Sequence, residues 1–249
     1  MSSTVPLILQ EDCEQGGKHV ENGIEDDFAY RNNVSQATKR VRMAFIRKVY
    51  GLLCVQLFLT VIVASICLFT PAVKEFIHSN DWLLMIAFFG SIGLLIGLHV
   101  KRLETPTNFI LLAAFTVVEA YTVGVVVSFY SQAVVIQALV LTLVVVGCLT
   151  AYTFQTKRDY SSMYSGLFAG LCILLVAGIL QLFFHSSVFE LVVAIAGALL
   201  FSLFIVFDTQ MLMQTLSPEE YILATINLYL DIINLFLHIL RILQSANNQ

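Results

Sequence analysis

Charged residues are scarce in this sequence. Only 12% of its 249 residues are Asp, Glu, Lys or Arg, whereas soluble domains carry about 25%. Fourteen of the charged residues precede residue 49, which leaves sixteen for the remaining 201 positions. So few charges cannot cover the surface of a water-soluble globule of this size, which excludes soluble enzymes and disordered regulators. The net charge of −4 also argues against nucleic-acid binding.

The motifs of common catalytic and metal sites are also missing. The five histidines are scattered, and the sequence has no HExxH, no GxSxG and no CxxC. The five cysteines are an odd number, and all except Cys13 lie in apolar runs, so they are predicted to be small hydrophobic residues. Asp208 precedes Thr-Gln rather than the Thr-Gly of aspartyl proteases. The sequence therefore predicts neither an enzyme nor a resident cofactor.

Long apolar runs dominate what is present. Hydrophobic residues make up 58% of the chain, and the mean hydropathy is +0.85. A helix needs about 20 residues to cross some 30 Å of hydrocarbon, and the runs are continuous rather than alternating as in strands. We predict an all-α integral membrane protein, a bundle of seven transmembrane helices surrounded by lipid. The spans are expected at about 49–70, 82–100, 108–128, 133–154, 164–184, 188–214 and 220–243.

Residues 1–40 differ from the rest of the chain. They are rich in Asp, Glu, Asn and Gly and contain few large apolar residues, which is typical of disorder. We therefore divide the chain into a disordered tail, 1–40, and a transmembrane domain, 41–249. Seven Lys and Arg residues precede residue 49. Because basic residues favour the cytosolic side, the N-terminus is predicted to be cytosolic.

The topology of the last segment has two interpretations. The loops on the predicted cytosolic side add four basic residues, whereas the other side holds only Lys74 and Arg241. Seven full spans would place the C-terminus outside the cytosol. Arg241 then lies on the less favoured side, so a re-entrant seventh segment with both termini in the cytosol is the alternative.

The last predicted helix carries a stripe of polar residues. From Asn227 onward they recur at spacings of 4, 3, 4 and 3, and all six fall within an arc of about 80°. In hydrocarbon such a stripe must face the bundle interior, a water-filled path or a partner. The alternative to a polar path is a set of hydrogen bonds between helices. The stripe consists of Glu220, Asn227, Asp231, Asn234, His238 and Arg241.

Asp208 lies in the preceding helix, nine residues before Ser217. That places it about 13 Å from the turn, about one helical turn from the depth of Asp231, so the two acids can form a pair. Two touching carboxyls share a proton and respond to pH, and they offer oxygen ligands to calcium. Two separately satisfied carboxyls are the alternative. Small residues on the Asp208 face permit a close partner: Ala194, Gly197 and Ala198.

Three further acids are candidates. Glu119 lies in the third span, where it either lines the same interior or bonds a neighbouring helix. Glu219 and Glu220 open the last helix, where they either cap it, with Ser217 and Glu220 forming a capping box, or concentrate cations at a mouth.

Several motifs resemble those of the transmembrane Bax inhibitor motif family. The stretch 217–221 (SPEEY), followed by 228–238 (LYLDIINLFLH), resembles its C-terminal signature, and 207–209 (FDT) its sixth-helix motif. The stretches 42–50 (RMAFIRKVY), 119–123 (EAYTV) and 152–160 (YTFQTKRDY) narrow the likeness to the lifeguard group, whose Golgi-resident branch it resembles most.

The resemblance implies a fold and a function. The last helix is expected at the centre of the bundle. The function implied is a pH-sensitive calcium leak from Golgi or endoplasmic reticulum stores that restrains apoptosis, with Asp208 and Asp231 as pH sensor and transient calcium ligands. Arg102 is the candidate latch for that pair. A non-conducting regulator that binds calcium-release channels or apoptosis proteins is the alternative, and the oligomeric state is left open.

Overall fold

Helices are the regular secondary structure in the part of the chain whose structure is described. The computed structural model describes residues 39–247 apart from 81, 157, 182, 185 and 218, and within these residues it contains eight α-helices and no strand. The predicted tail, 1–40, lies outside the described residues except for its last two positions, which begin the first helix.

The helices follow one another through short connections. A 3-10 turn at Ser161–Met163 precedes the sixth helix. The helices are α1 Lys39–Phe69, α2 Pro71–Ser79, α3 Trp82–Val100, α4 Thr107–Ser128, α5 Gln132–Gln155, α6 Tyr164–Gln181, α7 Ser187–Gln214 and α8 Tyr221–Asn247.

Seven of the described helices, all except α2, are long and apolar enough to cross a membrane. This confirms the predicted seven-helix membrane bundle. The helix α8 runs for 27 residues without interruption, which is about 40 Å at 1.5 Å per residue. A continuous helix of this length favours a full span over the re-entrant alternative.

The helix bounds differ from the predicted spans by more than two residues at three helix ends, and one short helix was not predicted. The helix α8 ends at Asn247 rather than residue 243. The helix α1 begins ten residues early, because the basic segment before the apolar run consists of good helix formers. The helix α6 ends at Gln181 rather than residue 184, since a turn follows in which two successive amides bond to the Leu180 carbonyl. The short helix α2 was not predicted, although Pro71 occupies its first turn.

The last helix occupies the centre of the bundle, as expected from the family resemblance. Its most apolar stretch is 67% buried inside the chain, against 6 to 44% for the other six spans. It packs against α1, α3, α4, α5 and α7. Tyr229 is its largest fully buried side chain, and the hydroxyl oxygen lies 2.9 Å from the Thr60 hydroxyl of α1. This bond satisfies a polar group that lipid could not.

Close packing of α1 against α4 depends on a glycine. A Cβ atom at Gly124 would lie 2.7 Å from the Cys67 sulfur and 3.3 Å from its Cβ. Small residues let transmembrane helices approach in this way. A Cβ at Gly147 of α5, by contrast, would meet nothing within 4 Å.

These two glycines make a matched pair for measuring stability. We expect Gly124→Ala to destabilise the protein by about 1 to 3 kcal/mol, because the added methyl group overpacks the interface. Gly147→Ala should be neutral or slightly stabilising, since alanine favours the helix. Thermal unfolding of both variants in the same detergent gives the comparison, and equal melting temperatures would contradict the assignment of this contact.

Candidate functional site

A cavity of about 740 Å³ lies between α6, α7 and α8. Its polar lining comprises Asp208 from α7, Gln181 from α6 and five residues of the α8 stripe: Asn227, Asp231, Asn234, His238 and Arg241. Its apolar wall consists of Leu171, Leu174, Leu175 and Ile179 from α6 with Phe201 and Phe204 from α7. We call the end where α8 begins the proximal end, and the end where α8 finishes the distal end.

The polar stripe of α8 runs the length of this cavity. From Asn227 to Arg241 it covers 14 residues, or about 21 Å along the helix axis. Several of its polar atoms have no partner on another helix. The Asn234 amide donates to the Leu230 carbonyl of its own helix, and within the described residues His238 Nδ1 meets no hydrogen-bonding group. The stripe therefore contributes few hydrogen bonds to the packing of α8 against its neighbours.

Asp208 and Asp231 touch each other at the proximal half of the cavity. Their carboxyl groups lie within hydrogen-bonding reach. Asp231 is only 6% exposed, and Asp208 is half-buried. The one-turn difference in depth estimated from the sequence is thus small enough for direct contact.

The surroundings of the pair indicate a shared proton. No nitrogen or hydroxyl donor in the described part of the chain reaches Asp231 Oδ2. Two carboxyl groups can bond to each other only if one holds a proton, because two carboxylates are both acceptors. The geometry therefore fits a pair that carries a single negative charge between two oxygen-bearing groups.

The same pair contributes too few ligands for a resident metal centre. Calcium takes six to eight oxygen ligands, and the described residues contain no cluster of three His, Cys, Asp or Glu side chains. Asn227 and Asn234 line the same wall and bring two more amide oxygens. Such a set can contact a hydrated ion in passing, as the sequence predicted for Asp208 and Asp231, with water completing its shell.

His238 is seated against a glycine of α7. A Cβ atom at Gly197 would lie 2.6 Å from His238 Nδ1 and closer still to Cε1 and Nε2. The imidazole also stacks on the Phe201 ring, with centroids 5.6 Å apart. The close approach expected at the small-residue face of α7 is therefore occupied by this histidine.

Two aromatic rings line the proximal end of the cavity. The Tyr164 ring, at the start of α6, lies 6.0 Å from the Phe207 ring, and both residues line the cavity. The loop leading to Tyr164 is held by Gln210 of α7. Its Oε1 accepts from the Tyr160 amide at 2.8 Å, and its Nε2 donates to the Arg158 carbonyl at 2.8 Å.

A comparison with known proteins identifies the family to which this sequence belongs. The family described as "Inhibitor of apoptosis-promoting Bax1" matches residues 42–248. The chain belongs to the Bax inhibitor family. The resemblance inferred from its motifs is confirmed.

Relatives in the family are similar over nearly the whole chain. Protein lifeguard 4 of Mus musculus is 48% identical over 228 residues, which cover 92% of this chain and 96% of the relative. The Golgi anti-apoptotic protein of Vaccinia virus (strain Lister) is 46% identical with the same coverage. Bax inhibitor 1 of Schizosaccharomyces pombe is 38% identical over 229 residues, 92% of this chain and 86% of the relative.

Arg102 does not latch the aspartate pair in this member of the Bax inhibitor family. Its Nη2 lies 3.3 Å from Glu220 Oε1, just before α8. Nearby, the Asn108 amide donates to both the Arg102 carbonyl and the Tyr221 hydroxyl, and the Lys48 ammonium lies 3.3 Å above the Tyr221 ring centroid. The prediction failed because Arg102 follows the end of α3 and reaches only the proximal start of α8.

Three predicted lining acids lie away from the cavity. Glu119 is within hydrogen-bonding reach of Ser91 on α3, which matches the interpretation that it bonds a neighbouring helix. Glu219 is exposed in the turn before α8. Glu220 accepts from the Ser217 amide at 3.4 Å, which is one half of the predicted capping box. Because the helix begins at Tyr221, Glu220 precedes it. Glu220 therefore does not share the helical spacing that aligns the other five residues of the stripe.

Some residues of the site were not recognised in the sequence. Tyr164, Phe201 and Phe204 lie in apolar runs, where an aromatic residue that lines a cavity cannot be told from one that faces lipid. Gln210 had a usable signal, since it is an uncharged polar residue in an apolar helix two positions after Asp208. Such residues need partners in a membrane.

The clamp formed by Gln210 can be measured by hydrogen exchange. We expect Gln210→Leu to raise the exchange rate of the Tyr160 amide about tenfold, because the loss of one hydrogen bond corresponds to about 1 to 1.5 kcal/mol. Ser202→Ala is the control, because the Ser202 hydroxyl donates to the Ala198 carbonyl of its own helix rather than to the loop. Mass spectrometry of peptides covering residues 156–163 supplies the rates. An unchanged rate in Gln210→Leu would show that the loop is held elsewhere.

Proposed function

We propose that this protein is a pH-sensitive calcium leak of intracellular membranes that lowers store calcium and restrains apoptosis. The observation that carries the proposal is the contact between Asp208 and Asp231 on the wall of a cavity inside the membrane bundle. Carboxyl groups are costly in the hydrocarbon and tend to be functional there. These two are aimed at a space rather than at a basic partner.

The cavity supplies the features that a cation path needs. It extends along about 21 Å of α8, and its polar wall presents carboxyl and amide oxygens to a hydrated ion. The rings of Tyr164 and Phe207 line its proximal end. A path with so few ligands favours a slow leak over rapid conduction, because it replaces little of the water that surrounds the ion.

The aspartate pair supplies the pH response. With one shared proton the two carboxyls bond to each other, whereas without it they repel and attract a cation. His238 is the competing titratable group on the same wall, and the Arg241 charge lies close to it. We therefore propose that protonation of the pair, rather than of His238, sets the flux between about pH 5 and 8.

The cellular setting is proposed from two sources. One relative is named a Golgi anti-apoptotic protein and another Bax inhibitor 1, which supports a place in Golgi or endoplasmic reticulum membranes. The excess of Lys and Arg on the proximal side supports a cytosolic N-terminus. In this setting the protein acts without enzymatic chemistry. Intracellular calcium-release channels and apoptosis regulators are its proposed partners.

The first test is calcium flux from liposomes that contain only the purified protein. We expect Asp231→Asn to reduce flux at least tenfold, because the path loses one of the two carboxyl groups that share the proton and contact calcium. Glu119→Gln is the matched control: it also neutralises an intramembrane acid, but one that lies away from the cavity, and it should retain flux. Absence of flux in the wild-type protein would favour the non-conducting regulator instead.

The second test assigns the pH response. Flux is measured between pH 5 and 8 for the wild type, Asp208→Asn and His238→Gln. We expect Asp208→Asn to flatten the profile, because a single acid has no partner with which to share a proton. His238→Gln should keep the wild-type pH dependence. A profile that is flat only in His238→Gln would refute the aspartate-pair mechanism.

A further inference from the structure

We propose that Arg241 selects by charge the small solutes that enter the cavity at its distal end, slowing cations relative to anions. The inference deepens the proposed function, since it concerns access to the same path. The sequence marks Arg241 only as the last member of the stripe and as one of two basic residues on its side of the membrane.

Arg241 stands between two spaces. It lines the 740 Å³ cavity that contains the aspartate pair. It also lines a second cavity of about 280 Å³ formed by the start of α7, the end of α8 and the turn before α5. Among the described residues that line these two cavities, Arg241 is the one they share. A solute passing from the smaller cavity to the larger must therefore pass its guanidinium group.

The guanidinium group has a neutral neighbour. It lies within hydrogen-bonding reach of the Tyr130 hydroxyl. Burial raises the pKa of Tyr130, an effect that Arg241 opposes, so the phenol stays neutral at physiological pH. A neutral acceptor orients the arginine without cancelling its charge.

The nearest acid leaves the positive charge largely in place. Glu190 lines the smaller cavity and acts electrostatically on the same Tyr130 hydroxyl. It is exposed, so water screens its charge. In the described part of the chain, Arg241 forms no ion pair with a carboxylate. A guanidinium group that is not paired with a carboxylate repels cations and attracts anions that pass close to it.

The consequence for the path is a barrier in series with the aspartate pair. A cation from the distal side meets Arg241 first, then His238 and Asn234, and reaches Asp231 only three helical turns further along α8. The barrier lowers the rate of entry and leaves the binding oxygens untouched. An electrostatic barrier at the entrance is therefore a second reason for a slow leak.

Thiol labelling tests the charge selection directly. A cysteine placed at position 234 by Asn234→Cys reports what reaches the cavity. The probes are two methanethiosulfonate reagents of similar size, one bearing trimethylammonium and one bearing sulfonate, applied to the purified full-length protein. Labelling is read by mass spectrometry on the peptide containing residue 234. Each rate is divided by the rate of the same reagent with a small free thiol.

With Arg241 present, we expect the ratio of the normalised labelling rates, anionic reagent over cationic reagent, to be about ten. Arg241→Gln should return the ratio toward one, and Arg241→Lys should keep most of the preference, because the charge is retained. Lys74→Gln is the matched control: it removes the other basic residue on that side, which lines neither cavity, and it should leave the ratio unchanged.

Two outcomes would overturn the inference. One is a ratio that Arg241→Gln leaves unchanged, which would mean that solutes reach residue 234 by another route. The other is a cysteine at 234 that reacts with neither reagent in either background, because then nothing passes Arg241.

Calcium flux separates this inference from the proposed function. Arg241→Gln should raise flux severalfold in liposomes if both hold. If no variant passes calcium, the proposed leak fails, whereas the reagent ratio still reports whether Arg241 filters by charge.

Discussion

The hydrocarbon around the bundle offers no hydrogen bonds, and the rest of the structure follows from this constraint. A helix with one polar stripe cannot face lipid along that stripe, so α8 must lie inside the other spans. Its position at the centre is seen in its burial, which is higher than that of any other span. The apolar faces of α8 pack against five neighbours. Its polar face meets the cavity, where Asp208 brings a second carboxyl to Asp231.

Two ends of α8 are held in different ways. At its start, Arg102 pairs with Glu220 and Lys48 lies over the Tyr221 ring, so the first turn is tied to α1 and to the segment after α3. At its far end, Arg241 lies within hydrogen-bonding reach of a tyrosine in the turn before α5. These contacts are polar and lie toward the ends of the helix. The middle of α8 has polar contacts of its own, between Tyr229 and Thr60 of α1 and between Asp231 and Asp208 of α7, so each third of the helix is tied to a different set of neighbours.

The sequence predicted the features that periodicity and hydrophobicity determine. Seven spans, the stripe on α8 and the closeness of Asp208 to Asp231 all follow from regular helix geometry, which is the same in any context. Prediction from the sequence failed where the position of a residue depends on side chains that reach across loops. Arg102 and Glu220 find each other because α3 and α8 both have an end on the same side. Glu119 bonds Ser91 because of how α4 is rotated against α3. Neither of these side-chain contacts leaves a periodic signal in the sequence. The aromatic residues opposite the stripe could not be predicted either, because their place depends on where α6 lies.

The absence of a side chain at Gly197 has a mechanical consequence. The His238 ring of α8 lies directly against the α7 backbone at this point, so a relative tilt of the two helices can pivot on this contact, which we call the fulcrum. Asp208 lies 11 residues along α7 from the fulcrum, and Asp231 seven residues along α8, or about 16 and 10 Å. A tilt of about 10° between the helices would shift the carboxyls by roughly 2 to 3 Å, which exceeds the tolerance of a hydrogen bond. A small rocking motion, with no helix unwound, is therefore enough to separate the acids.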